Sequence, residues 1–128
     1  MARATLRPAT SADVRHFAGS IPLRCELALA GEDETGALIG VGGVAVLPDG
    51  RRMAFTELTE EARRHPVALH KAALRVLHEA RAAGVRELVA TTDIGRTPAG
   101  ERWLKRLGFE RAEAAGGTCW TWKNDDLS

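Results

Sequence analysis

The sequence predicts an α+β domain, a mixed and mostly antiparallel central sheet with helices on both faces, in the order β-α-β-β-β-α-β-α-β-β. Three observations carry this. Strand-like runs between Arg24 and Thr59 are separated by short polar turns, the mark of an antiparallel meander. A long apolar-striped segment from Pro66 to Gly84 then leads into another strand, which makes a helical crossover. A second helical segment precedes two short strands joined through Gly116-Gly117, a hairpin.

Each element has a local reason. Thr5 to Pro8 reads as a first strand. Thr10 offers a helix N-cap, with Asp13 three residues on, and Val14, Phe17 and Ala18 give 11–18 the spacing of a short amphipathic helix. Arg24 to Ala30 alternates, which sends Cys25, Leu27 and Leu29 to one face and Glu26, Ala28 and Ala30 to the other. Ala37 to Leu47 is apolar on both faces, as in a strand covered on both sides. Its Gly40-Val41-Gly42-Gly43 is no dinucleotide fingerprint, because the strand continues through it; glycines there allow a bulge or a close approach. Asp49-Gly50 turns the chain into Arg51 to Thr59, with Met53, Phe55 and Glu57 on one face. Pro66 suits the first position of a helix, and Gly84 ends it. Val85 to Thr92 is a strand. Thr97-Pro98 opens the next helix, striped by Trp103, Leu104 and Leu107 and closed by Gly108.

Composition bounds the function. The chain has 128 residues, 45% hydrophobic and 27% charged, with a net charge of +1. This fits one domain, residues 1–123, with a polar tail at 124–128. The balanced charge and two small basic clusters without interleaved aromatics argue against a nucleic-acid partner. No apolar run approaches the roughly 20 residues of a membrane span. Cys25 and Cys119 lie far apart and outside any CxxC pair, so buried thiols in a reduced, cytoplasmic setting are expected. His65, His70 and His78 offer no i, i+4 pair, so no metal is expected. Trp120 and Trp122 share a strand face and read as core or as a dimer contact rather than a stacking platform.

One stretch asks for a ligand. Arg63, Arg64 and His65 run into Pro66, where a helix N-terminus is already electropositive. An anion on the N–H groups of Val67, Ala68 and Leu69 would offset this crowding. The alternative is a solvated basic loop in which Glu60 and Glu61 pair locally.

The order of elements, with LRPAT, GALIGVGGVAVL, the helix before Gly84-Val85 and RWLKRLGFER, resembles the Gcn5-related N-acetyltransferase (GNAT) superfamily over nearly the whole chain. EARRHPVALHKAAL and RWLKRLGF are more loosely similar to GNAT-like proteins of phages and prophages. The resemblance implies an N-acetyltransferase that takes acetyl-CoA as co-substrate and a small-molecule or peptide amine as acceptor. It implies that the strand before the long helix splays from its neighbour to hold the pantetheine arm, here at Leu58 and Thr59. It places the pyrophosphate on Arg63, Arg64, His65, Val67, Ala68 and Leu69, with Pro66 where the family carries a glycine. Thr97 falls where many members carry an asparagine, and is implied to contact the cofactor. Glu57, near the splay and beside Met53 and Phe55, is the candidate catalytic base, partly desolvated; the alternative is a strand-end glutamate paired to Arg51 or Arg52. Trp103-Leu104 stands where many members carry an aromatic-tyrosine pair, and the chain has no tyrosine to serve as general acid. A second function is therefore a GNAT-like module without catalysis, which binds coenzyme A or serves as a homodimeric or phage-associated structural protein. The short first-helix region implies an open acceptor side.

Overall fold

The computed structural model describes residues 4–13, 24–90, 97–114 and 117–124. One seven-stranded sheet organises them, in the order β1-β2-β3-β4-β5-β7-β6. Strands β1 (Thr5–Pro8), β2 (Arg24–Glu32), β3 (Leu38–Val46) and β4 (Arg52–Leu58) form the antiparallel meander. A 3-10 helix (Glu61–Arg64) and helix α1 (Pro66–Ala82) cross over to β5 (Glu87–Ala90), which lies parallel to β4. Helix α2 (Pro98–Leu107) then leads to the hairpin β6 (Glu110–Ala114) and β7 (Gly117–Lys123), with β7 inserted antiparallel beside β5. Among the described residues the β4–β5 pair is the one parallel contact of the sheet, and a helical crossover is what such a contact requires.

The helix ends follow their local chemistry. Beyond Gly84, at φ +80°, Val85 N–H donates to Ala80 O and Gly84 N–H to Arg81 O. Gly108, at φ +99°, closes α2 in the same way, with Phe109 N–H on Leu104 O and Gly108 N–H on Lys105 O. Both are Schellman closures, where only glycine takes the left-handed turn without strain. The predicted helix at 11–18 is seen only in its first turn, at 11–13; Val14, Phe17 and Ala18 lie outside the described residues.

That first turn is tied to the sheet. Thr10 N–H donates to Asp13 Oδ2 (2.7 Å) and Asp13 N–H to Thr10 Oγ1 (3.2 Å), a reciprocal cap. Arg7 on β1 forks onto Asp13 (2.6 and 3.1 Å) and reaches Glu32 on β2 (3.2 Å). The Arg7 fork, with the Thr10 cap, holds the Asp13 carboxyl well below the usual carboxylate range. A carboxyl depressed in the fold adds stability above its unfolded value, and this is lost as pH falls through its folded value. Asp13→Asn should therefore lower the melting temperature by a few degrees at pH 7. In thermal melts across pH, the gap between variant and wild type should close below about pH 4. An equal gap at pH 7 and pH 2 would remove Asp13 from this role.

Two apolar clusters flank the sheet. The larger joins Val76, Leu77 and Ala80 of α1 and Leu104 of α2 to Leu29, Val44, Leu88, Trp120 and Trp122. The tryptophans are thus core residues, with the Arg81 guanidinium 5.2 Å above the Trp122 ring. The smaller cluster, Val41, Ala45 and Phe55 with Ala9, Cys25, Ala28 and Met53, lies on the other face, so β3 is apolar on both sides as its sequence predicts.

Two expectations need correction. Strict alternation from Arg24 fails because Glu26 is bulged: Cys25 pairs with Ala45 and Leu27 with Val44, so no residue of β3 faces Glu26. The extra residue flips Cys25 to the face of Ala28, away from Leu27 and Leu29. There burial pushes the Cys25 thiol up. The second correction is at the end of β7. Asn124 is 7% exposed and its side chain donates to Val85 O (3.0 Å) and Arg81 O (3.3 Å), so it belongs to the domain rather than to a tail. Residues 125–128 lie outside the described residues.

Candidate active site

The site grows from the C-terminal end of β4. The register of β4 on β5 joins Met53 to Val89 and Ala54 to Ala90 among the described residues, and β4 runs on to Leu58. Backbone parity then decides which groups of this end face the β5 side. Thr59 N–H donates to Ile39 O (3.0 Å), which makes Thr59 and Ile39 a hydrogen-bonded position of the β3–β4 ladder. Hydrogen bonding alternates along an antiparallel pair, so Glu57 and Phe55 bond to β3. Thr56 and Leu58 turn their N–H and C=O groups the other way, toward the β5 side. Leu58, where the resemblance implies the pantetheine arm, and Thr56, which the sequence reading did not include, thus turn backbone groups to the same side.

Thr59 does something else. Its N–H and its hydroxyl (3.0 Å) both donate to Ile39 O, and its carbonyl accepts from Ala62 N–H (3.1 Å). These groups fix the turn from β4 into the 3-10 helix and leave no free backbone donor for a ligand.

At the start of α1, His65 stands in the N-cap position without a side-chain cap. The N–H groups of Val67 and Ala68 find no acceptor among the described residues, as a first helical turn requires. Leu69 N–H is instead taken by His65 O (3.0 Å), so the expected third donor is already used. Arg63 and Arg64 are both exposed beside this end. Glu61 lies 3.5 Å from Arg64, so the local pairing of the alternative reading does form, while Arg63 has no ion pair among the described residues. The His65 side chain turns inward. Its Nε2 is buried and has no hydrogen-bond partner, with Glu61 Oε1 3.7 Å away. A buried polar atom without a partner is costly and uncommon in a native fold.

Below α1 lies a cavity of about 100 Å³, lined by Gly31, Gly40 and Gly42 on the sheet side and Ala62, Ala72 and Ala73 on the helix side. Thr56, Leu58, His65 and Trp103 border the same space. Trp103 Nε1 donates to His70 Nδ1 (3.2 Å), which ties α2 to α1 along one wall.

Glu57 sits apart from these groups. It follows Met53 and Phe55 in parity, so its side chain projects from the sheet face opposite α1. It is exposed rather than desolvated, because the strand end passes beyond the smaller cluster. It is also not held by the arginines: Arg51 pairs with Asp49 (2.7 Å) and Arg52 with the bulged Glu26 (2.8 Å). Thr97 is the N-cap of α2, its Oγ1 accepting from Gly100 N–H (3.0 Å), and it lies outside the cavity wall. Among the described residues no group of His, Cys, Asp or Glu could hold a metal ion, and no helix is long and apolar enough to cross a membrane.

No protein-family model matches the sequence, and no curated protein matches it. Solved structures do match in fold. A GNAT superfamily phosphinothricin acetyltransferase from Sinorhizobium meliloti, in complex with AcCoA, is 20% identical and has a TM-score of 0.66, over 92% of this chain and 86% of that one. The ribosomal-protein-S18-alanine N-acetyltransferase of Escherichia coli is 13% identical, with a TM-score of 0.67, over 95% and 94%. A GNAT family N-acetyltransferase of Escherichia coli in complex with CoA is 16% identical, with a TM-score of 0.64, over 98% and 84%. The mixed sheet, the crossover onto β5 and the terminal hairpin are therefore those of the GNAT fold.

Proposed function

We propose that the protein is an N-acetyltransferase that binds acetyl-CoA in the β4–β5 gap and passes the acetyl group to an amine. The observation that carries this is the juxtaposition at the C-terminal end of β4. Backbone groups of Thr56 and Leu58 turn away from β3 toward the β5 side, and the N–H groups of Val67 and Ala68, without an acceptor among the described residues, stand at the head of α1, where Ala68 borders the same pocket as Thr56 and Leu58. The residues fit the co-substrate: amides suit the pantetheine arm, and the helix end with Arg63 and Arg64 suits its phosphates. The orphaned Nε2 of His65 supplies one further polar contact. Structural neighbours solved with AcCoA or CoA support the same reading.

The bound thioester supplies the activated acyl carbon. The chain's own work is to orient it, stabilise charge and move a proton. A Thr56 or Leu58 N–H stabilises the developing oxyanion. Glu57, on the other face of β4, takes the proton of the acceptor amine through water. A thiol is a fair leaving group with a pKa of about 8.5, so the sulfur can take its proton from solvent without a tyrosine. Thr97 positions α2 through its cap.

A thermal-shift titration tests the binding step. Coenzyme A at a hundredfold excess over its dissociation constant should stabilise the fold by about 2.7 kcal/mol, a rise of roughly 10 °C. Replacing both Arg63 and Arg64 by alanine should weaken coenzyme A by about three- to tenfold, and its dephospho analogue by less. The absence of any shift with coenzyme A would sink the proposal. Stabilisation without thiol release across a panel of amines would favour a second reading, a coenzyme A binder without turnover, which the lack of tyrosine supports.

A further inference from the structure

We infer that the pocket under α1 receives the hydrocarbon tail of the acyl donor, so that besides acetyl-CoA the protein takes thioesters of about four or five carbons and binds them more tightly. This rests on the coenzyme A reading above and specifies its donor.

Three features of the cavity point to an acyl chain. The first is its position: Thr56 and Leu58, whose backbone groups are proposed to meet the thioester, also border the pocket. The second is its chemistry. Apart from His65 and Thr56 its walls are glycine and apolar side chains, a lining that suits hydrocarbon. At about 30 Å³ per heavy atom, roughly the share of a water in the liquid, about 100 Å³ holds three or four carbons beyond the carbonyl.

The third feature is that the fold does not demand the space. Gly31 has no left-handed φ. A Cβ built on it would meet nothing closer than Ile39 Cγ1, at 3.8 Å, an ordinary contact. Alanine would serve the strand better there. Glycine at 31, opposite the alanines at 62, 72 and 73, keeps open a volume that larger side chains could fill.

In the reaction the acceptor nitrogen bonds the acyl carbon, the carbon–sulfur bond breaks with its electron pair on sulfur, and the amine proton leaves through Glu57 to solvent. The tail takes no part in these bonds; it lies under α1, on the face away from the acceptor.

The test is a binding series by titration calorimetry and thermal shift with coenzyme A and its acetyl, butanoyl, hexanoyl and decanoyl thioesters. Each buried methylene should tighten binding by about fourfold; the pocket has room for about two or three beyond the acetyl methyl, so hexanoyl should exceed acetyl by roughly ten- to a hundredfold. Decanoyl should fall back once the cavity is full. Ala72→Leu should erase the preference for hexanoyl and leave coenzyme A itself unchanged. Gly31→Ala, which fits without strain, should reduce the preference and serves if the leucine variant fails to fold. A flat series with intact coenzyme A binding overturns this inference alone. Loss of coenzyme A binding in the wild type overturns it together with the acetyltransferase reading.

Discussion

Gly43→Ala is expected to destabilise the protein by about 3 kcal/mol or more, a large share of the 5–15 kcal/mol that holds a typical domain. Gly43 has an ordinary negative φ, so the reason is space rather than backbone freedom. The bulge at Glu26 brings the Leu27 carbonyl of β2 directly against Gly43 of β3. A Cβ there would overlap that oxygen and stand 2.7 Å from Ala28 Cα. Both obstacles are backbone, so no side-chain rotation relieves them. The strands can part only by giving up the register that places Cys25 and Leu27 on opposite faces. Denaturant unfolding measures the loss, with Gly31→Ala as the control. That substitution should be neutral or stabilising by up to about 1 kcal/mol. A Gly43→Ala protein within about 0.5 kcal/mol of wild type would mean that the bulge does not approach β3 as described.

Glu57→Gln is expected to lower turnover by about a hundredfold, at the low end of general-base contributions, while donor affinity stays as it was. The split follows from geometry. Glu57 bonds to β3 through its backbone and its side chain projects from the sheet face opposite α1, so its carboxylate does not line the pocket there. Its exposure and its freedom from Arg51 and Arg52 leave the carboxylate open to an incoming amine or a bridging water. Thiol release with a panel of primary amines measures kcat, and the thermal shift with coenzyme A measures binding. Unchanged kcat would make Glu57 a surface glutamate. Equal loss of kcat and donor affinity would place it in the binding site instead.

The order of elements was legible in the sequence because each signal is local. Asp49-Gly50 turns a strand, Pro66 opens a helix, and Gly84 and Gly108 close two, each through the preferences of one or two residues. The basic run before Pro66 likewise marks one end of the proposed site, where Arg63, Arg64, Val67 and Ala68 lie together at a helix head. Thr59, implied by the resemblance, and Leu69, read from the helix start, have amide groups already bonded to Ile39 and His65. Sequence alone shows that a residue has a donor; partners across the fold show whether the donor is taken.

By itself the sequence determined an α+β chain with a meander, a helical crossover and a closing hairpin, because propensities, turns and caps act over a few residues. Only the tertiary structure decided that Cys25 and Leu27 part ways, that Thr56 and Leu58 turn backbone groups away from β3 while Glu57 bonds to it, and that small residues on β2, β3 and α1 line one pocket. Those outcomes depend on register and on which elements stack, and both are set by contacts between residues far apart in the chain. A one-residue bulge inverts the facing of every residue beyond it, and a cavity exists only once its opposite walls meet.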